Sequence, residues 1–385
     1  MIFLKQTYTS SFIKLIGICF VFIFVMACNE KYNFNVKNQK EGIVVEAFIS
    51  NRSFAETLGI PSDGRYFQVI LRKTNDVDNV RDEKISNASV ILHDDRGQEW
   101  KYTEVPLNPG IYELRDEFVK ASPGIGYQLT VELLTGQKFE SAWEKMPEVV
   151  NEMGQISFKE VTRQIYTYQQ EEKVITDEQG LDIYMDIPEN RTDQTRHLIW
   201  NFDPMWTYAA ALAEDDFEGK HCWVTSSNYL KNTELQEDKK GGYLRKLFNL
   251  KTVSNERVYD YFTAIIHQHA VTPGYYFFWK DLNGQREKGG LYDQPPFSVS
   301  TNFRAVNNDW STNGYFAVTD EQFVRWELDK SQLSYFIEDD LEYFCRLYYE
   351  FDPEGLDSCV DCRVYPRGTA INHPPAWWQA KYGRL

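Results

Sequence analysis

Seven short runs of alternating apolar and polar residues, separated by turn signals, fill the chain between residues 42 and 147. They lie at 42–50, 65–74, 88–94, 98–105, 110–116, 126–134 and 137–146. Alternation puts the apolar side chains on one face of a strand, and the short connections Asp95-Arg96-Gly97 and Thr135-Gly136 are typical of hairpins. Seven strands over about 105 residues predict a β-sandwich of immunoglobulin-like architecture, without the cysteine and tryptophan pin of antibody domains.

The chain beyond Met146-Pro147-Glu148 is longer and less regular. Strand-like runs recur at 155–161, 182–187, 197–202, 275–282 and 313–318. One helix is predicted from Ser254, a good N-cap, to Pro273-Gly274, which would stop it. Its apolar residues follow at helical spacing: Val258, Phe262, Ile265 and Ile266. We therefore predict a mainly all-β protein, with the sandwich over 42–147 and a larger β-rich C-terminal domain with at least one helix over 148–385.

Residues 1–27 differ from everything that follows. Lys5 and Lys14 supply positive charge with no acid before Cys28, and the apolar run 15–27 has only 13 residues. A membrane-spanning helix needs about 20, so the pattern predicts a signal peptide over 1–27. Val25-Met26-Ala27-Cys28 resembles the bacterial lipobox, in which the cysteine is lipidated. We predict lipidation at Cys28 and a flexible polar tether over 28–41.

The charge of the chain excludes one large class of partners. The formal net charge is −16, and it becomes −18 once Lys5 and Lys14 leave with the signal peptide. Nucleic-acid phosphates need Lys and Arg to displace their counterions, so no nucleic-acid binding is expected. Attachment to a membrane is expected through the lipid anchor rather than through surface charge.

Four cysteines remain after Cys19 leaves with the signal peptide and Cys28 takes the lipid: Cys222, Cys345, Cys359 and Cys362. An even number in an exported chain predicts two disulfides, with three possible pairings. A four-thiolate zinc site is the rival interpretation, since Cys359 and Cys362 have ligand spacing. A second close pair of cysteines is missing, which favours the disulfides.

Aromatic residues make up 15% of the chain, which first supports a β-rich fold. A second interpretation is sugar or peptide binding by exposed rings. The candidate ligand or partner contacts are Tyr275 and Trp279, on one face of a predicted strand, together with Trp377 and Trp378 near the C-terminus. Both interpretations, buried core and binding surface, remain open for these four residues.

The sequence contains no recognisable catalytic motif. It lacks a nucleophile elbow, a phosphate-binding loop and a His-Glu-x-x-His zinc motif. His267-Gln268-His269 is the most metal-like cluster, but at the end of a helix its two imidazoles would face apart. The acidic runs 214–216 and 338–340 lack the spacing of a calcium loop and are expected to be solvated. We predict no enzymatic activity, no catalytic residues, no metal and no cofactor.

Several motifs recur in an order that points to one family. After the lipobox come VVEAFIS, ASVILHDDRGQEW, PGIYEL and GIGYQLTVELLTGQKFESAWEKMP, and later HCWVTSSN, NERVYDYFTAIIHQ, NGYFAV, CVDCR and PPAWW. Together they resemble the lipoproteins of Bacteroidota catalogued as domain-of-unknown-function family 4249. The resemblance implies a companion of TonB-dependent outer-membrane receptors. It also implies lipidation at Cys28 and a structural role for Cys359 and Cys362.

These observations lead to one functional hypothesis and one alternative. The hypothesis is an outer-membrane lipoprotein at the cell surface, acting as a non-enzymatic accessory or ligand-capture partner of a TonB-dependent transporter. The alternative is a free-standing surface lipoprotein that binds glycans or peptides. The sequence does not identify the ligand.

Overall fold

The computed structural model describes residues 41–60, 62–74, 83–169, 172–287, 299–351 and 357–383. The predicted signal peptide, Cys28 and nearly all of the tether lie outside the described residues. Strands occupy 46% of the structure and helices 14%, which confirms the mainly β prediction. None of the helices in the described ranges has both the length and the apolar character needed to cross a membrane.

Within the described ranges, nine strands precede residue 147: β1 Gly42–Ser50, β2 Phe67–Lys73, β3 Ser89–Asp94, β4 Glu99–Lys101, β5 Thr103–Glu104, β6 Ile111–Leu114, β7 Gly126–Glu132, β8 Lys138–Ser141 and β9 Glu144–Lys145. Ten follow: β10 Ile156–Gln169, β11 Glu172–Ile187, β12 Arg196–Ala209, β13 His221–Thr225, β14 Glu234–Asp238, β15 Tyr243–Lys251, β16 Phe262–Ala270, β17 Phe303–Ala305, β18 Ser311–Glu327 and β19 Thr369–Ile371. The α-helices are α1 Phe54–Thr57, α2 Pro273–Glu287, α3 Leu341–Phe351 and α4 Ala376–Tyr382.

The largest sheet has ten strands in the order β19-β13-β12-β16-β18-β1-β2-β6-β5, with β14 also paired to β12. Its centre is the parallel pair β1 and β18, which runs from Gly42 opposite Ser311 to Ser50 opposite Thr319. The other pairings in this sheet are antiparallel. β1 is rich in β-branched residues and largely buried on both faces, as a central strand should be.

A six-stranded sheet, in the order β17-β8-β7-β3-β4 with β9 also on β7, faces the β1–β2–β6 end of the large sheet. The side chains between the two sheets form one core, with Val45, Leu71, Leu92 and Leu129 all at 0% exposure. Phe316 of β18 belongs to the same core. The boundary predicted at residue 147 lies between β9 and β10, and this core contains residues from both sides of it.

The third sheet has three strands in the order β10-β11-β15 and packs on a second core. β10 and β11 form a long hairpin, paired from Ile156 opposite Met185 to Gln169 opposite Glu172. β15 pairs only with the Gly180–Ile187 part of β11. The outer half of the hairpin therefore extends past β15 as a two-stranded arm.

Two neighbouring sequence predictions are wrong, and they are wrong in opposite directions. The helix predicted after Ser254 is a single 3-10 turn at Glu256–Val258 followed by strand β16, whose nine residues are all buried. The strand predicted over 275–282 is part of helix α2. A continuous apolar run does not distinguish a buried strand from a buried helix by spacing alone. Pro273 is the first helical residue of α2, a position where proline is favoured, and so it starts a helix instead of ending one.

Both predicted disulfides are present, and the structure gives their pairing. Cys222 is bonded to Cys362 and Cys345 to Cys359, each with a Cα–Cα distance of 5.7 Å. The first bond joins β13 to the 3-10 turn Cys362–Val364, and the second joins α3 to the 3-10 turn Asp357–Cys359, which follows α3 in the chain. All four thiols are therefore used in disulfides, which removes the rival zinc site.

Candidate functional site

The candidate site is a cavity of about 270 Å³ between helix α2 and the β2–β1–β18–β16–β12 part of the large sheet. We call it the aromatic pocket. Its lining is mostly apolar or aromatic, with a few neutral polar groups and one acid: Glu46, Ala47, Phe48, Gln68, Ile70, Ile199, Asn201, His269, Tyr275, Phe278, Trp279, Leu282, Tyr315 and Thr319. A concave, mainly apolar surface with a small number of polar groups is the usual composition of a small-molecule site.

Helix α2 supplies the aromatic wall of the pocket. Tyr275, Phe278 and Trp279 are spaced i, i+3 and i+4, so the helix places them on one face. The Tyr275 and Phe278 rings are nearly parallel, with centroids 6.1 Å apart, and Trp279 meets Phe278 edge-on at 6.0 Å. Phe277 lies off this face and is 44% exposed. Strand spacing would put Phe277 on the same face as Tyr275 and Trp279, whereas helical spacing puts Phe278 there.

The sheet supplies the floor of the pocket. Phe48 of β1, Ile199 of β12 and His269 of β16 come from different strands of the sheet. The His269 ring meets Phe48 edge-on at 5.6 Å, and its Nδ1 is 3.1 Å from the Thr319 hydroxyl. Burial lowers the pKa of His269 to about 4, because the protein interior disfavours the charged imidazolium. His269 therefore adds no charge to the floor of the pocket near pH 7.

A charge network with a buried centre at His267 and Glu321 lies beside the pocket. It consists of Arg65, Asp203, His267 and Glu321. Glu321 is fully buried and accepts from the Arg65 guanidinium at 2.6 Å, while its other oxygen is 2.8 Å from His267 Nδ1. His267 Nε2 is 3.0 Å from the exposed carboxylate of Asp203. Two carboxylates thus hold one imidazole ring from both sides.

This arrangement sets the protonation of His267. Burial alone would lower the pKa of His267, but its hydrogen bonds to Asp203 and Glu321 outweigh burial and raise the pKa above its ordinary value. Burial would raise the pKa of Glu321, but the charge of Arg65 and the hydrogen bond from His267 hold that pKa well below its ordinary value. The network is therefore most stable with a protonated His267 and an ionised Glu321.

His267, His269 and Glu321 also bring three metal-ligating atoms within 4.8 Å of one another. A histidine that binds a metal must be neutral and must offer a free ring nitrogen. Both ring nitrogens of His267 are instead hydrogen-bonded to carboxylates, which favour the protonated ring. The Glu321 carboxylate is already neutralised by Arg65, whose guanidinium would repel a cation at this distance. The charges present fit a proton-bearing network and do not fit a metal ion.

The other predicted contact residues lie elsewhere. Trp377 and Trp378 are buried in α4, where Trp378 packs edge-on against Trp223 at 5.6 Å. Arg325 stacks over the Trp377 ring at 3.5 Å, beside a separate cavity of about 330 Å³. Of the four predicted aromatic contacts, Tyr275 and Trp279 line the aromatic pocket and the two C-terminal tryptophans do not.

The acidic runs of the sequence are not gathered into a site. Residues 214–216 are exposed, as are Glu338 and Asp339. Asp340 is half-buried and accepts from Ser254 at 3.3 Å and from the Tyr259 hydroxyl. These contacts tie a loop to the body of the protein.

Several site residues carried no signal in the sequence. Phe48, Ile199, Arg65 and Glu321 come from strands or loops far apart in the chain, and each looks like an ordinary strand or loop residue locally. The His267-Gln268-His269 cluster is visible in the sequence, but the predicted helix would turn its two rings apart. On strand β16 residues i and i+2 share a face, so the two rings lie almost parallel with centroids 6.2 Å apart.

Comparison with known proteins gives one informative match. A search of curated proteins finds no match. Among solved structures, a DUF4785 family protein from Legionella pneumophila is 10% identical over 59% of this chain and 52% of its own length. This chain thus spans about half of that protein, and the TM-score of 0.15 is too low to indicate a shared fold. The model of a domain of unknown function, DUF4249, matches residues 29–323, well over half of the chain. The chain therefore belongs to the DUF4249 family, as the order of its motifs predicted.

Proposed function

We propose that this protein is an outer-membrane lipoprotein that captures a small ligand at the cell surface for a TonB-dependent transporter. The observation that carries the proposal is the aromatic pocket, a preformed cavity with the composition of a small-molecule site. Cys28 would hold the protein at the membrane through its lipid, and the polar residues after it would act as the tether. The two disulfides are consistent with an oxidising compartment outside the cytoplasm.

The chemistry of the pocket supports binding over catalysis. A general base works best when its pKa is near the operating pH, and His269 has a pKa of about 4. His267 and Glu321 are charged, but they are committed to each other and to Arg65 and Asp203. The polar groups on the floor can orient a ligand through hydrogen bonds without being set up for proton transfer.

The partner is tested by native purification of the lipidated protein from gently solubilised outer membranes. We expect a TonB-dependent barrel in equal amount, and none with an unrelated lipoprotein purified in the same way. Cys28→Ser should shift the protein from the membrane fraction to the soluble fraction. Recovery of the lipidated protein alone would reject the transporter partnership.

A free-standing binding protein is the second candidate, because the aromatic wall of the pocket is complete without any partner. Tyr275, Phe278 and Trp279 are positioned by helix α2 within the described chain itself. If the protein is recovered alone, glycan and peptide arrays would test this candidate directly. A protein that is recovered alone and binds neither class would exclude both candidates.

A further inference from the structure

We propose that the aromatic pocket takes a compact, uncharged and mainly apolar ring compound, of the size of a phenol or an indole. The inference rests on the capture function proposed above and names the class of ligand for the same site. Its basis is the volume of the cavity, the character of its walls and the charge of its lining residues.

The volume sets the size of the ligand. An apolar cavity of about 150 Å³ is large enough to bind benzene. The aromatic pocket, at about 270 Å³, therefore has room for one substituted ring or two fused rings. A whole disaccharide or a folded peptide would not fit inside it, so a glycan or a peptide could enter only with one terminal ring or side chain.

The walls favour a ring. Tyr275, Phe278 and Trp279 from the helix lie opposite Phe48 and Ile199 from the sheet. Aromatic rings gain from edge-to-face and offset contacts beyond the area that they bury. A ligand ring between the helix and the sheet would make such contacts with the aromatic side chains on either side.

The lining disfavours a charged ligand. Glu46 is the one lining residue that carries a charge among those described around the pocket, since His269 is neutral near pH 7. Its side chain is about half exposed and is ion-paired with Arg72. A charged group that entered the pocket would lose its hydration without gaining an unpaired opposite charge, which is costly.

The neutral polar groups would fix the orientation of the ligand. Gln68 donates through its Nε2 to Glu113 at 3.1 Å, and the carbonyl oxygen of its amide can accept from a ligand. Asn201 accepts from Thr233 at 3.3 Å through its Oδ1, and its amide nitrogen can donate to a ligand. One or two hydrogen-bonding substituents on the ring would match this floor.

The test uses three probes that share one ring and differ in charge: benzamide, benzoate and benzylammonium. Binding to the full chain is followed by calorimetry near pH 7. We expect benzamide to bind at least about tenfold more tightly than either ion, with the weak affinity that so few non-hydrogen atoms allow. Equal or tighter binding of an ion, or no binding of any probe, would overturn the inference.

Variants locate the binding. Trp279→Ala should weaken benzamide binding at least about fivefold, whereas Phe277→Ala, on the outer face of the same helix, should leave it unchanged. Asn201→Asp keeps the shape of the side chain and adds a negative charge to the floor. It should reverse the preference so that benzylammonium binds best, and an unreversed preference would place the probe elsewhere.

The transporter partnership and the ligand class can each be rejected without rejecting the other. Selective binding of benzamide by a protein that is recovered without a barrel would keep the ligand class and reject the transporter partnership. A barrel that accompanies a protein with no preference for the neutral ring would keep the partnership and reject the ligand class.

Discussion

His267 connects several strands of the large sheet through its hydrogen bonds. It joins Glu321 on β18 to Asp203 on β12, while Arg65 from the β1–β2 connection reaches the same Glu321. One protonated ring thus holds strands together across the middle of the large sheet. Such a group makes stability depend on pH in a predictable direction.

His267→Gln should lower the free energy of unfolding by about 1–3 kcal/mol at about pH 6, because it leaves buried hydrogen-bonding groups without their partner. The pKa of His267 is raised in the folded protein. Its protonated form therefore stabilises the fold fully below the unfolded pKa of about 6.5, and that contribution is lost as pH rises through the folded pKa. The difference between wild type and variant should shrink at about pH 9 in urea titrations.

The matched control is His221→Gln. His221 lies on β13 with an exposed side chain, so its replacement should change the free energy of unfolding by less than about 0.5 kcal/mol at either pH. A His267→Gln penalty that grows with pH would contradict the protonated network. The groups that face His267 and could also titrate are Asp203, Glu321 and His269.

The β10–β11 hairpin is buried in the second core at its base, near Ile156 and Met185, and is exposed to solvent at its outer end. Ile183 and Ile175 lie on the same strand, an even number of residues apart, and so on the same face. Ile183 is fully buried in the second core, whereas Ile175 is 58% exposed. Tyr166, directly opposite Ile175, is 66% exposed. The core-facing side of the hairpin therefore continues into the arm as a solvent-exposed face.

These two isoleucines provide a matched test of that description. Ile183→Ala should lower the free energy of unfolding by about 2–5 kcal/mol, because it leaves a cavity in a packed core. Ile175→Ala should change it by less than about 0.5 kcal/mol, because its side chain is mostly in water. Urea unfolding measures both, and similar penalties for the two would mean that the arm is covered.

At the scale of elements, the sequence predicted the strands before residue 147 well and the surroundings of the pocket poorly. β1, β3 and β7 were predicted to within a few residues, because alternation is visible locally when one face is buried. The sequence predicted a helix where β16 lies and a strand where α2 lies. Both apolar runs are continuous, and only their neighbours in space determine which is a strand. The hairpin was predicted only at its base, because its outer half has no core to impose a pattern.

At the scale of the whole molecule, Gly314 lies where the N-terminal part of the chain pairs with the C-terminal part, through strands β1 and β18. It lies on β18 opposite Val45 of β1, with φ +90°, and an added Cβ would come within 2.0 Å of the Val45 carbonyl oxygen. Only glycine meets both conditions easily. The sequence gives no sign of this requirement, because the pairing joins residues from opposite ends of the chain.

Gly314→Ala should lower the free energy of unfolding by at least about 2 kcal/mol, from the forced contact and the left-handed backbone together. Gly284→Ala is the control, because Gly284 is in helix α2 and no atom of the described residues lies within 4 Å of an added Cβ. It should be neutral or stabilising by up to about 1 kcal/mol. Hydrogen exchange should show β7 and β12 losing protection together in Gly314→Ala, and loss in one alone would mean that the halves are independent.

The parallel pairing of β1 with β18 also affects the order in which the strands of the sheet can pair. A chain is synthesised from its N-terminus at about 5–20 residues per second, and a segment can complete its sheet only when the partner strand exists. β2 can cover one edge of β1 early, but the other edge must wait for a strand that begins at Ser311. Contacts between such distant residues make folding slow. Until residues 311–327 are available, β1 therefore keeps one edge of unpaired backbone N–H and C=O groups, and pairing with β18 closes that edge to other chains.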